Sequence, residues 1–327
     1  MSDSVPIIDL GAAADGGAAA VAAACRRWGF FQVVNHGVPA PVIERLWVEA
    51  DRFFALPMAD KRALLRSKDN PRGYYDRELT KNVRDLKEVF DFHLDPFPDL
   101  PEDDPQNRLP VDGHNRWPAG LPGFKAAMVD YTRACEGLGH RLLEMFCQGI
   151  GAPADRLAPY FGPGHTSFVR LNYYPLDDPL EADQAADVTA LGDMALHHHS
   201  DAGVLTILLQ DAVGGLQCYA EGAWRDVPPA DGALVVNVGD MMQLWSNDAY
   251  PAALHRVRPI TGERPRLSVP YFFNPTYDTD CAPLDEATAG DRPHYRPVNW
   301  GTFRQLRTDG DYADYGKEVQ LDDYRLA

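Results

Sequence analysis

The stretch ALHHHSDAGVLTILLQD, residues 195–211, holds three consecutive histidines, then Ser200 and Asp201, then an apolar run. Residues 204–209 are mainly apolar and partly β-branched, which predicts a buried strand. On extended backbone the side chains alternate between faces, so His199 and Asp201, two apart, point the same way. An imidazole and a carboxylate that converge in this way make half of a metal site. Taken alone, the stretch leaves zinc, iron or no metal open. A third ligand from a distant strand would complete a set of two histidines and one carboxylate, which suits Fe(II) with positions left open for oxygen chemistry.

Working outward, His255 in AALHRV (residues 252–257) supplies a candidate for that third ligand, 54 residues beyond Asp201. In a β core that interval lets several strands pass before one returns beside the first. His197 shares parity with His199, but only His199 satisfies His-x-Asp. The spacing therefore selects His199 as the ligand and leaves His197 and His198 as supporting, pocket-mouth or solvated residues. A second pair, Arg266 and Ser268, also lies two apart on a predicted strand, with Pro270 and Phe272 on the same face. A guanidinium beside a hydroxyl can receive a carboxylate through charge-assisted hydrogen bonds; the alternative is an exposed arginine on an edge strand. In RLNYYP (residues 170–175), Asn172 and Tyr174 share a face and offer an amide and a phenol, although by itself this reads as an aromatic strand.

Composition bounds the partners. The chain has 327 residues, 45% hydrophobic and 24% charged, with a formal charge of -17. Such a balance argues against nucleic acid and anionic membrane surfaces, so an anionic co-substrate needs a specific local cation. Five scattered cysteines without a CxxC pair predict reduced thiols in a cytoplasmic protein. The alanine-rich run at 12–24 contains Asp15 and no basic leader, so it predicts a helix rather than a signal peptide. No apolar run approaches the roughly 18 residues of a membrane span. Oligomeric state is not legible.

Taken in order, the pattern predicts strands at 5–10 and 28–36 and helices at 41–54 and 57–65. Next comes an irregular, proline-rich lid or flank at 67–123, with a strand at 88–93. Apolar residues at spacings of three and four predict a long helix over 122–149. Strands are then predicted at 167–174, 204–209, 215–219, 223–227, 233–238, 241–245, 254–258 and 266–273. Hairpin-type turns such as Glu221-Gly222 and Asp231-Gly232 separate many of them. Eight short strands suggest a closed sandwich or jelly roll. The polar and aromatic remainder predicts a helix near 300–307 and an ordered tail.

Ten collinear motifs tie these pieces together: VPIIDL, RRWGFFQVVNHGVP, FFALPMADK, RLNYYP, HSDAGVLTILLQD, GGLQ, VNVGDMMQLWSN, LHRV, RLSVPYFFNP and WGTFRQLRTDGDYADYG. In this combination the chain resembles the isopenicillin N synthase-like group of Fe(II)/2-oxoglutarate-dependent oxygenases. The resemblance implies a mainly β fold with flanking helices, in which a double-stranded β-helix (jelly-roll) core follows an N-terminal α/β region. It divides the chain into an N-terminal region at 1–120, a scaffold helix at 121–160, the oxygenase core at 161–275 and a C-terminal tail at 276–327 packing near the active site.

The resemblance further implies that His199, Asp201 and His255 bind Fe(II), with no catalytic residue beyond these ligands. Arg266 and Ser268 would hold the distal carboxylate of 2-oxoglutarate, Tyr174 assisting and Asn172 near its chelating end. Phe272 matches a position that lines the substrate pocket, and Trp245, Tyr74, Phe90 and Phe92 extend the expectation of an aromatic-tolerant cavity. His36 falls in a motif whose role is structural. The implied reaction consumes O2, decarboxylates 2-oxoglutarate and hydroxylates, desaturates or cyclises a small organic molecule. Isopenicillin N synthase and the ethylene-forming oxidase of plants share the fold and the Arg-x-Ser motif without using 2-oxoglutarate. A non-catalytic jelly-roll binding protein is the remaining alternative, disfavoured by the intact ligand set.

Overall fold

Helix α1 (Gly17–Trp28) joins two parallel strands, β1 (Ile7–Asp9) and β2 (Phe30–Val34). Helix α2 (Ala40–Phe54) follows Pro39, carries Pro41 in its first turn and buries Leu46, Ala50, Phe53 and Phe54. After the short α3 (Met58–Arg62) come β3 (Gly73–Tyr75), β4 (Leu79–Thr80), β5 (Val83–Arg84) and β6 (Glu88–Phe92). Helix α4 (Phe124–Gly149) buries Phe124, Met128, Tyr131, Cys135, Leu138 and Leu142 along one stripe. Then follow β7 (Phe168–Tyr174), β8 (Leu196–His199), β9 (Leu205–Gln210), β10 (Leu216–Ala220), β11 (Ala223–Asp226) and β12 (Leu234–Val238). Helix α5 (Asp240–Trp245), β13 (His255–Val257), β14 (Arg266–Phe273) and helix α6 (Trp300–Gly310) complete the frame. This computed structural model describes residues 4–12, 17–101, 103–109, 111–181, 184–185, 188–310 and 319–327.

The strands form a large sheet in the order β1-β2-β12-β9-β14-β7-β6-β3 and a small sheet in the order β11-β10-β13-β8. Together they make the jelly roll. Strand β14 shows how sequence parity builds it. Leu267, Val269, Tyr271 and Phe273 belong to the main core, alongside Phe31, Val236 and the buried faces of α1, α2 and α4. Arg266, Ser268, Pro270 and Phe272, on the opposite face, line a cavity inside the roll. A second, smaller core fills the interior with Phe30, Tyr174, Leu208, Leu216, Val235 and Val257. Because the central strands are buried on both faces, β9 reads as a nearly continuous apolar run rather than an alternating one.

Three expectations change. Residues 241–245 form α5, not a strand: MMQLW contains no β-branched residue, and methionine, glutamine and leucine favour helix. The eighth strand of the roll is β8, which carries the histidines themselves. The flank at 67–123 is more regular than expected: β3 and β6 extend the large sheet and bury Tyr74, Phe90 and Phe92 in the helix-side core, while Glu78, Leu79 and Thr80 line the cavity. Part of the predicted alanine helix, residues 13–16, and part of the predicted tail, residues 311–318, lie outside the described residues. Among the described residues, no helix is long and apolar enough to cross a membrane.

Candidate metal centre and co-substrate pocket

Strand β8 ends at His199, β13 begins at His255, and the two residues face each other in the antiparallel register. Their ring centres are 4.3 Å apart. Asp201 lies two residues past the end of β8, on the loop leading to β9. Its Oδ1 is 3.6 Å from His199 Nε2 and 3.7 Å from His255 Nε2. One ligand atom from each of the three residues fits within a 4.8 Å cluster. Each imidazole is turned by the same local device. His199 Nδ1 donates to the carbonyl of His197 at 2.9 Å, and His255 Nδ1 to the carbonyl of Ala253 at 3.2 Å. With Nδ1 holding the proton, both Nε2 lone pairs face the carboxylate.

Asp201 is treated asymmetrically. Its Oδ2 accepts from Thr206 Oγ1 at 2.5 Å and from Asn237 Nδ2 at 2.7 Å, which leaves Oδ1 turned toward the two Nε2 atoms as a third ligand atom. Burial opposes the charge, but His255, His199 and Thr206 together hold this carboxyl well below the usual carboxylate range. Burial and the neighbouring His199 push the His255 imidazole down to about 4, so it is neutral near pH 7. Both groups are therefore in their metal-binding forms. The start of α5 fixes the loop: Asp240 N donates to Asp201 O at 2.8 Å, Met241 N to Gly203 O at 2.9 Å and Gly239 N to Val204 O at 3.0 Å.

From this cluster a cavity of about 180 Å³ runs between the sheets, and Arg266, Ser268, Asn172, Tyr174 and Phe272 all line it. Register explains the grouping, because Arg266 pairs with Tyr174, and Ser268 with Asn172 on one side and Gln210 on the other. Arg266 is 1% exposed. Its Nη1 donates to Ser268 Oγ at 2.9 Å, its guanidinium carbon is 5.0 Å from the Tyr174 ring centre, and its Nε has no partner. Among the described residues no carboxylate pairs with it. The buried Oδ1 of Asn172 also lacks a partner. A buried cation without an anion is costly, so the cavity has the character of an anion receptor.

Other expected residues lie elsewhere. Trp245 is no part of the cavity: it is buried on α5, stacked on Tyr160 at 5.6 Å and near Phe161. Tyr74, Phe90 and Phe92 are likewise core residues, whereas Phe30, Phe168 and Trp300 are the cavity's further aromatics. Phe168 stacks on Phe272 with centroids 4.7 Å apart. His197 turns from the cavity to Asp85, Nδ1 to Oδ1 2.7 Å, and that bond raises its pKa. His198 packs beside Trp224, and His36 accepts from the amide of Val38. Sequence reading missed Thr206 and Asn237. These are polar residues inside apolar strands and sit opposite each other in the β9–β12 register.

The geometry has counterparts. The model of the 2OG-Fe(II) oxygenase superfamily matches residues 165–275, and that of the N-terminal region of non-haem dioxygenases, described from morphine synthesis, matches 5–120. A coumaroyl CoA and feruloyl CoA ortho-hydroxylase of Ipomoea batatas is 33% identical over 92% of this chain and 79% of its own length. The chain belongs to the 2OG-Fe(II) oxygenase superfamily. The oxygenase is also similar to the crystal structure of JOX2 in complex with 2OG, Fe and JA, with a TM-score of 0.80 and 29% identity, covering 99% of this chain and 90% of that one. A full-length Neurospora crassa protein crystallised in complex with alpha-KG gives a TM-score of 0.76 at 25% identity, covering 93% of this chain and 96% of that one. The oxygenase is thus an oxidoreductase that uses Fe(II), 2-oxoglutarate and O2 on a small organic substrate. Two imidazole nitrogens and one carboxylate oxygen are a donor set that suits Fe(II).

Proposed function

We propose that the oxygenase hydroxylates a small organic molecule, with His199, Asp201 and His255 holding the iron and Arg266 and Ser268 holding the distal carboxylate of 2-oxoglutarate. The observation that carries this is the buried guanidinium of Arg266, which no carboxylate among the described residues meets, in the same cavity as the ligand cluster. When bound, iron and 2-oxoglutarate supply the oxidising chemistry by decarboxylation to succinate and carbon dioxide. The chain's own residues bind and orient. Ser268 aims the Arg266 fork and Tyr174 covers its face, while the Asn172 amide serves the end nearer the metal. Phe30, Leu208, Leu216 and Val257 wall the cavity with apolar surface and keep water from the reacting centre. Hydroxylation is the preferred outcome because the Ipomoea relative is named for it. Five unpaired, buried cysteines support a reducing, cytoplasmic setting, which fractionation of expressing cells checks.

The test is anaerobic addition of Fe(II) and 2-oxoglutarate. A weak visible charge-transfer band from the chelate is expected; a folded protein that develops none would overturn the reading. Arg266→Ala removes charge-assisted bonds and should raise the apparent KM for 2-oxoglutarate about 10- to 100-fold, with a smaller effect on that for substrate.

A further inference from the structure

The cavity is lined by a second cation in excess besides Arg266. Most buried charges of this region balance: Arg66, Lys87 and Arg170 meet Glu78, Asp85 and Asp91. Asp112 is different, since two guanidiniums share it. Arg304 reaches it with Nη2 to Oδ1 at 2.6 Å and Nε to Oδ2 at 3.2 Å, and Arg72 Nη2 bonds the same Oδ1. Tyr277 donates its hydroxyl to Oδ2. Arg72 spends its Nε on His93 Nδ1 at 3.1 Å, an imidazole held neutral by burial and by Arg72 itself. Arginine keeps its proton under all these conditions. Among the described residues no other carboxylate pairs with Arg72 or Arg304, so one positive charge is left over.

That charge faces the cavity. Arg304 lines it together with Trp300, one helical turn earlier on α6, and with Phe168 and Phe272. The Phe168 ring is close to both guanidinium carbons, 4.5 Å from Arg72 and 4.8 Å from Arg304. Phe168 pairs with Phe272 at one end of the β14–β7 ladder, and Arg266 pairs with Tyr174 at the other. Six residues of strand separate Arg266 from Phe272, roughly 20 Å at the usual rise. With Arg266 assigned to the distal carboxylate of 2-oxoglutarate, Arg304, beside the Phe168 end of the ladder, is left without an anion of its own.

We infer that the substrate of this oxygenase is a carboxylic acid, its carboxylate received by Arg304 and its apolar or aromatic body lying against Phe168, Phe272 and Trp300. This rests on the oxygenase reading of the same cavity. One excess charge matches a monoanion, whereas a phosphate monoester would bring a second charge without a partner. The formal charge of -17 repels acids in general, so a local cation is what admits one.

The probes are benzoate, phenylacetate and 3-phenylpropionate, each beside its primary amide, together with phenyl phosphate. They are measured by equilibrium dialysis against the protein holding Fe(II) and 2-oxoglutarate without oxygen. At least one acid should bind about 10- to 100-fold more tightly than its amide and more tightly than phenyl phosphate. Arg304→Gln should abolish that preference while amide affinity stays within about twofold, and Arg304→Lys should keep most of it. Amides that bind as well as their acids, a preference for phenyl phosphate, or an acid preference that survives in folded Arg304→Gln would each overturn the inference. Should Arg304→Gln fail to fold, the acid–amide comparison in the native protein and the lysine variant decide. Dialysis reads the preference whether or not the chelate band forms, so loss of the band strikes the oxygenase reading and loss of the preference strikes the substrate alone.

Discussion

Asp201 makes its contribution through one oxygen because the other is taken. Thr206 and Asn237 both donate to Oδ2. Without them the buried carboxylate could rotate or chelate through both oxygens. Asn237→Ala should therefore weaken Fe(II) binding about 10- to 100-fold, the usual cost of losing a partner that orients a ligand. Thr206→Val, which keeps the shape and removes the hydroxyl, should act in the same direction. Anaerobic Fe(II) titration measures both, and unchanged affinity in either folded variant would show that its bond does not orient the ligand. The three ligands were legible in the sequence because parity and a returning strand are enough to nominate them. Thr206 and Asn237 were not, since only the β9–β12 register sets them side by side behind Asp201.

Among the elements, α5 is the one whose small size hides its importance. Its first amides hold the carbonyls of Asp201 and Gly203, which requires the two backbones to approach closely. Gly239 permits this. Its φ of -104° is open to any residue, but a Cβ there would meet Gly203 O at 2.4 Å, Gly203 C at 2.8 Å and Asp201 O at 3.0 Å. These are backbone atoms of the metal loop and cannot swing aside. Gly239→Ala should cost about 1–3 kcal/mol through overpacking and also weaken Fe(II) binding. Leu142→Ala, in the α4 core, should cost about 2–5 kcal/mol and leave the metal affinity of the folded protein unchanged. Thermal melts and Fe(II) titrations on the pair separate a local effect from a global one. The same element shows where sequence reading fails. A mostly apolar run of five residues fits a buried strand or a buried turn of helix, and periodicity alone does not choose. The long α4 and the alternating β14 were legible because each repeats its pattern over many residues.

At the scale of the whole molecule, the composition gives the sum of charges but not where they sit. Lys61, Arg66, Arg72, Lys87 and Arg266 are all buried, in a chain whose negative excess suggests a solvated acidic surface. Buried imidazoles make the fold acid-sensitive, and the sign follows from the shifts. Burial, reinforced by Arg72, pushes the His93 imidazole down to about 3, while burial and His199 push that of His255 down to about 4. In the unfolded chain both titrate near 6.5. Below that pH the unfolded state takes up protons that the folded state refuses, so stability is full above about 6.5 and is lost as pH falls towards the folded values. His197 works the other way: its bond to Asp85 raises its pKa, which adds stability below 6.5 that is lost as pH rises through the raised value. Two fully buried imidazoles outweigh one half-buried ion pair. The metal-free protein, kept with a chelator, should melt at progressively lower temperature between pH 6.5 and 4.5. Across those two units His93 alone should account for about 2–3 kcal/mol. His93→Asn keeps an acceptor for Arg72 Nε and has nothing to titrate, so its melting temperature should fall less steeply over that range. Parallel slopes for the two proteins would mean that His93 is not the buried neutral base on which Arg72 depends.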